Sequence, residues 1–263
     1  MKIAIIGAGN MGGAIARGIV RTAEGSNVIV SNPSVGKLDA LKQEFPQIET
    51  TTDNSAAVAG ADYVFLAVKP WKMEEVIAEI KPALDYSKQV VVSVAGGVGS
   101  ELLDGWLAKE GGALPQLYIV IPNTAIATLC GMTFISGKRT AQQADDYITA
   151  LFAAMGRALM VPEELIPAGT SLASCGIAYA LQYINASMAG GEELGFTRAQ
   201  ALEIVMQTVR GALSVLEAGG ANPQTEIDRV TTPGGLTLRG LEAMREGGFS
   251  KSIIDGLYAS IKK

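Results

Sequence analysis

Residues 2–12 read K-I-A-I-I-G-A-G-N-M-G, and the order of residue types in this run decides the fold. Ile3 to Ile6 form a short apolar run, as a parallel strand buried on both faces requires. Gly7, Gly9 and Gly12 follow with G-x-G-x-x-G spacing, with Asn10 and Met11 inside the turn. Met11, Ile15 and Ile19 then recur at helical spacing. Strand, glycine turn and helix together are the context in which this spacing predicts dinucleotide binding. The first glycine makes the tight turn, the second lets backbone approach a pyrophosphate, and the third packs helix on strand. The helix N-terminus favours the phosphate charge. Without a ligand, the same pattern would be an ordinary strand–helix turn.

The chain has 263 residues, enough for one large domain or two modest ones, and 48% are hydrophobic, ample for a core. A net charge of −5 argues against a nucleic-acid partner. No run of 18 apolar residues predicts a spanning helix, so no membrane partner is expected. The apolar start carries its glycine loop where a signal peptide would have its hydrophobic centre, so no leader is expected. The two cysteines, Cys130 and Cys175, lie far apart and match no metal spacing. A reduced, cytoplasmic chain without a metal site is therefore expected. Histidine is absent altogether. A Ser-His-Asp triad is impossible, and so is histidine-assisted hydride transfer to a keto acid.

Strand patterns at 2–6, 28–31, 63–67, 89–94, 117–121, 132–136 and 157–161 alternate with helical patterns at 10–23, 34–44, 71–80, 99–109 and 140–155. This alternation predicts an α/β domain, a Rossmann-type doubly wound and mostly parallel sheet, over residues 1–161. From 162 the pattern becomes helical. Segment 166–190 is long, apolar and almost uncharged, and reads as a buried helix between domains. Segments 197–218, 234–246 and 249–262 have helical periodicity with charged outer faces. Gly219-Gly220 ends one helix and Asn222-Pro223 starts a new element. An all-helical domain over 162–263 with so apolar a leading helix is expected to need a second subunit to cover it.

Several loops at strand ends could carry ligand contacts, because ligands of open α/β sheets bind outside the carboxyl ends of the strands. The second strand ends at Ser31-Asn32-Pro33, with Ser34 and Lys37 close behind and no acidic residue for a ribose 2′-hydroxyl. That favours NADP(H) over NAD(H), although an ordinary turn would read the same way. Ala67-Val68-Lys69-Pro70 follows the third predicted strand and either places backbone at the cofactor or leaves Lys69 simply to cap or solvate the strand end. Asn54 is a candidate contact or an N-cap. Ala95 and Gly96, within S-V-A-G-G at 93–97, would let a flat ring lie against backbone. Asn123 in P-N-T either orients a carboxamide or caps a turn. Residues 230–237, V-T-T-P-G-G-L-T, precede a helix and either form a plain N-cap with a proline turn or, beside a nucleotide fold, offer free backbone N–H groups suited to a carboxylate.

Taken together, these runs resemble the pyrroline-5-carboxylate reductase family. The resemblance rests on G-A-G-N-M-G at 7–12, A-V-K-P at 67–70, S-V-A-G-G-V at 93–98, P-N-T at 122–124 and, most specifically, the run at 230–237. It implies a nucleotide-binding amino domain and a helical carboxyl domain that interlocks in a homodimer, sometimes in rings of dimers. It implies NAD(P)H-dependent reduction of 1-pyrroline-5-carboxylate to L-proline. By the same resemblance, the substrate carboxylate is held at Gly234, Gly235, Leu236 and Thr237. The hydroxyl of Thr237 faces the ring nitrogen, and Glu163 approaches the product. Ser31, Asn54, Val68, Lys69 and Ala95 match cofactor-contacting positions. The chain departs from the family pattern at Ile119-Val120-Ile121, where an arginine is usual. It departs again at Ile177, Asn185 and Leu236, where proline, glutamate and threonine are usual, which bears on local packing and efficiency.

The missing histidine suits such a substrate, because a protonated cyclic imine is already electrophilic and needs positioning more than a strong acid. A β-hydroxyacid dehydrogenase would place a lysine on the interdomain helix, and no lysine occurs between Arg157 and Arg229. A non-catalytic dinucleotide sensor would have no need of the 230–237 run.

Overall fold

The computed structural model describes residues 1–22, 27–220 and 222–261. The chain forms two compact units, Met1–Ser174 and Cys175–Lys263. The sequence expectation put the division near 161. Residues 162–174 associate with the first unit because Ser174 Oγ donates to the Pro122 carbonyl at 3.1 Å and Gly169 lies against the Phe134 ring.

The first unit is built on eight strands: β1 Ile3–Ile6, β2 Val28–Ser31, β3 Glu49–Thr51, β4 Tyr63–Leu66, β5 Val90–Ser93, β6 Gln116–Pro122, β7 Gly131–Lys138 and β8 Gly156–Met160. Their order is β3-β2-β1-β4-β5-β6-β7-β8. Strands β1 to β6 run parallel, β7 runs antiparallel to β6, and β8 returns parallel to β7. The order reverses between β1 and β4, which opens a crevice at their carboxyl ends. Helices α1 Asn10–Val20, α2 Val35–Glu44, α3 Asn54–Val58, α4 Met73–Ile80, α5 Ser100–Leu107 and α6 Gln142–Ala153 cover the sheet. Both faces are therefore dry. Ile3, Ile5, Phe65 and Val92 join one core with α1 and α6, while Ala4, Ile6, Leu66 and Val91 join another with α4 and α5. Central strands buried on two sides read as unbroken apolar runs, which is why they are legible in sequence. The short polar β3 carries no such signal and was not expected; the single-turn α3 does open at Asn54, but its N-cap is Asp53, whose side chain accepts the Ala56 N–H. The helix predicted over 10–23 ends at Val20 in α1, and Ala23 lies outside the described residues.

The predicted helix at 166–190 differs from expectation in two ways. It comprises α7 Ile166–Gly169, a π-helical turn at Thr170–Cys175 and α8 Gly176–Glu193. It is also not buried within the chain. Of its described residues only Ile166, Gly169, Ser171 and Met188 are buried, and Leu172 and Leu181 are 64% and 59% exposed. The second unit continues with α9 Arg198–Ala218, α10 Pro223–Arg229, α11 Leu236–Glu246 and α12 Phe249–Ala259. Lys262, at the end of the helix predicted over 249–262, lies outside the described residues. A left-handed Gly195 (φ 101°) ends the α8 turn, and Thr197 with Gln200 forms a capping box on α9. Tyr179 Oη donates to the Gly256 carbonyl at 3.1 Å, fastening α8 to α12.

Candidate functional site

The crevice at the switch point is a cleft of about 710 Å³, in the size range of small-molecule and cofactor sites. Its floor is the glycine turn. Gly7 sits at φ 108°, and a Cβ there would lie 2.6 Å from the Ala67 carbonyl oxygen. A Cβ on Gly12 would lie 1.9 Å from the Gly7 oxygen, so helix and strand touch through bare backbone. At Gly9 nothing lies within 4 Å of an added Cβ, which leaves open space above the turn. Gly9 is the N-cap of α1, no side chain caps the helix, and its first turn holds no acid. Uncapped amides, a positive helix end and open space fit a pyrophosphate.

Most of the expected cofactor residues line this cleft. Gly7, Gly9, Asn10 and Met11 come from the β1–α1 turn, and Asn32 and Lys37 from the region after β2. Asn54 comes from α3, Ala67 to Pro70 follow β4, and Ala95 and Gly96 follow β5. Asn32 Oδ1 accepts the Ala8 N–H at 3.0 Å, and its Nδ2 donates to the Ser34 carbonyl at 3.2 Å, so this side chain braces the turn. Lys69 Nζ lies 5.9 Å from the centre of the Trp71 ring.

Four expected residues are not on the cleft wall. Gly12 is packed behind the turn, and Ser34 stands outside it. Ser31 is fully buried, and its Oγ donates to Asn54 Oδ1 at 2.5 Å. Asn123 is buried too. Its Oδ1 accepts the Ala125 N–H at 3.2 Å and its Nδ2 donates to the Ala173 carbonyl at 3.3 Å, so it caps the turn after β6. Thr124 reaches the cleft in its place. The sequence reading missed Thr52, which follows the unexpected β3, and Lys72, Glu75 and Glu79 of the α4 region. Their spacing of three and four residues puts them on one helix face, a signal available in the sequence but easily taken for a solvated surface.

Glu163 lies elsewhere in the same unit. It lines a second cavity of about 910 Å³, whose lining shares no residue with the first. Its Oε1 accepts the Ser100 N–H at 2.8 Å, at the positive end of α5. Beside it, Lys138 Nζ donates to Ser100 Oγ at 3.2 Å and pairs with Asp104 at 2.9 Å. Arg139 grips Asp104 with two bonds of 2.9 and 2.6 Å. Desolvation pushes the Asp104 carboxyl upward, but the hydrogen bonds and charges of Arg139 and Lys138 outweigh it and hold the group below the usual carboxylate range.

In the second unit, the 230–237 run is the turn that enters α11. Gly234 is left-handed at φ 70°, and the Gly235 N–H donates to the Thr232 carbonyl at 2.9 Å. Gly235 is thus the N-cap, with its own amide engaged in the turn. No side chain caps α11, which leaves the amides of Leu236 and Thr237 at the helix end. Thr237 is exposed, and its hydroxyl has no hydrogen-bond partner among the described residues. Uncapped amides beside a hydroxyl suit a carboxylate that carries a neighbouring proton-bearing nitrogen.

Comparison with known proteins finds relatives for both units. Residues 163–263 match the family model described as pyrroline-5-carboxylate reductase dimerisation, and residues 2–110 match NADP oxidoreductase coenzyme F420-dependent. Pyrroline-5-carboxylate reductase 2 of Dictyostelium discoideum is 31% identical over all of this chain and 91% of its own length. Pyrroline-5-carboxylate reductase 1 of the same organism is 30% identical, but the chain spans about half of it, 49%. The crystal structure of Plasmodium falciparum pyrroline carboxylate reductase with NADP bound superposes with a TM-score of 0.88 at 23% identity. That match covers 99% of this chain and 95% of the other, and it shows the shared fold. On the strength of a relation that runs through both units, the chain belongs to the pyrroline-5-carboxylate reductase family.

Proposed function

We propose that the protein reduces 1-pyrroline-5-carboxylate to L-proline with NADPH, and less readily with NADH. What carries this reading is the uncapped N-terminus of α11, with the free hydroxyl of Thr237 beside it, in a member of this family. The bound dinucleotide supplies a hydride. The protonated imine carbon accepts it, the ring nitrogen keeps its proton, and the C=N bond becomes C–N. No histidine is needed, because the iminium ion is already electrophilic.

In this reading the chain's residues mainly position. Gly234 and Gly235 shape the turn, while the Leu236 and Thr237 amides hold the substrate carboxylate. The Thr237 hydroxyl bonds the ring nitrogen and orients its proton. The β1–α1 turn holds the pyrophosphate, with Gly7, Gly9, Asn10, Met11 and Gly12 setting its shape. Asn32, Lys37 and Asn54 face the ribose end, with Ser31 acting through Asn54. Lys37 forms no ion pair among the described residues, as a 2′-phosphate partner should. Residues 67–70, Ala95 and Gly96 form the nicotinamide side. Glu163 remains a candidate for approaching the product, and its bond to Ser100 gives it a structural task as well. Ser34 and Asn123 hold the loops that border the cleft.

The dimerisation segment supports oligomer formation. We take the unit to be at least a homodimer, with a ring of dimers as the further assembly the family resemblance allows, and with a cofactor domain over 1–161 and a dimerisation domain over 162–263. Among the described residues no helix is long and apolar enough to cross a membrane. A cytoplasmic location completes the reading, supported by the free thiols of Cys130 and Cys175. The test is oxidation of NADPH by the purified chain with 1-pyrroline-5-carboxylate, followed by detection of L-proline. Substrate-dependent oxidation is expected. None above background between about pH 6 and 9, the span over which catalytic groups ordinarily titrate, would defeat the assignment.

A further inference from the structure

The β2 strand ends without a carboxylate, but the fold brings one to the same place from another element. Ser31 closes β2, Asn54 opens α3, and Glu79 stands in the last turn of α4. Ser31 Oγ donates to Asn54 Oδ1 at 2.5 Å, and Asn54 Nδ2 donates to Glu79 Oε2 at 2.8 Å. A carboxylate only accepts, so Glu79 fixes the amide with its nitrogen toward α4 and its oxygen toward Ser31. Ser55 Oγ donates to the Glu79 carbonyl at 3.3 Å and ties the same residue to α3 a second time. Glu79 lines the cleft together with Asn54 and Lys37. The nearby cation Lys72 is paired with Glu75 at 2.7 Å. Lys37 lines the same cleft as Glu79 and has no ion pair of its own among the described residues.

We propose that Glu79 is a specificity-determining residue for the dinucleotide, narrowing the preference for NADPH over NADH. This rests on the cofactor reading above. A 2′-phosphate brings about two negative charges to a region where Lys37 attracts and Glu79 repels. A 2′-hydroxyl brings no charge and can donate to a carboxylate. Removing the Glu79 charge relieves only the phosphate.

Calorimetric titration of the unaltered chain, Glu79→Gln and Glu79→Asp with NADPH and with NADH reads this directly. Glu79→Gln should raise the ratio of Kd for NADH to Kd for NADPH about fivefold to tenfold, and added salt should shrink the gain. Glu79→Asp, which keeps the charge, should hold the ratio within about twofold of the unaltered chain. A ratio unmoved in Glu79→Gln, or moved equally in both variants, would overturn the proposal while leaving the cofactor reading intact. Binding of neither dinucleotide by the unaltered chain would overturn both.

Discussion

The proposed mechanism gives one chemical group, the hydroxyl of Thr237, a part in the reaction itself. It sits in the first turn of an uncapped helix, exposed and without a hydrogen-bond partner among the described residues. Truncation should therefore affect chemistry rather than folding. Thr237→Ala is expected to lower kcat by about a hundredfold, the usual scale for losing a positioned proton-handling group. The affinity for NADPH should stay within about twofold, since no cofactor-cleft residue changes. Stopped-flow turnover beside fluorescence titration of NADPH separates the two quantities. A Thr237→Ala variant with full kcat would remove the hydroxyl from the mechanism. Thr237 could be singled out from sequence because the run T-T-P-G-G-L-T carries the family resemblance; by itself the run would read as a plain N-cap with a proline turn. Glu79 could not, because its meaning depends on Asn54 and Ser31, which come from two other elements.

At the scale of elements, α5 is anchored to the end of β7 through Asp104. Arg139 and Lys138 both engage this carboxylate, whose side chain is 17% exposed. Its pKa is held below the ordinary value of about 3.9. The sign follows from linkage. A carboxyl depressed in the folded state stabilises the protein above the unfolded pKa and loses that contribution as pH falls through the folded pKa. Asp104→Asn should cost about 1 kcal/mol at neutral pH, and the difference from the unaltered chain should fade below about pH 4. Urea unfolding at a series of pH values measures it, and a difference independent of pH would rule out the ion pair as its cause. Glu163 holds the N-terminus of α5 by a separate contact, its carboxylate accepting the Ser100 N–H at 2.8 Å.

At the scale of the whole molecule, the two units differ in how well they bury themselves. The sheet unit has a dry core on each face. Among the described residues of 175–263, only Met188 and Ala201 are buried. Leu202, Met206 and Leu213 recur on one face of α9 and are 38%, 39% and 56% exposed. Apolar surface on this scale marks an interface between subunits. Light scattering should give a mass at least twice the 27.3 kDa of one chain. Leu213→Asp should shift the population toward the single-chain mass and lower the Tm by several degrees, because subunit binding stabilises the fold. An unaltered mass distribution would exclude this face of α9 from the interface.

The sequence by itself determined the sheet unit, its dinucleotide turn and the helical second unit. Each of these is written in local patterns: apolar runs buried on both faces, glycines where a Cβ would strike backbone, and helical periodicity. It also located the entrance to α11, since proline and paired glycines announce a turn wherever they stand. Only the tertiary structure decided what depends on distant residues meeting. It showed that Ser31 and Asn123 spend their polar groups inside the unit, that Glu163 sits at α5, and that the apolar segment 166–190 is exposed within one chain. It also returned a carboxylate to the end of β2, a strand that has none of its own. The physical reason is that hydrogen-bond partnership and burial belong to three-dimensional neighbours, and a strand, a single-turn helix and a longer helix became neighbours here only through the sheet.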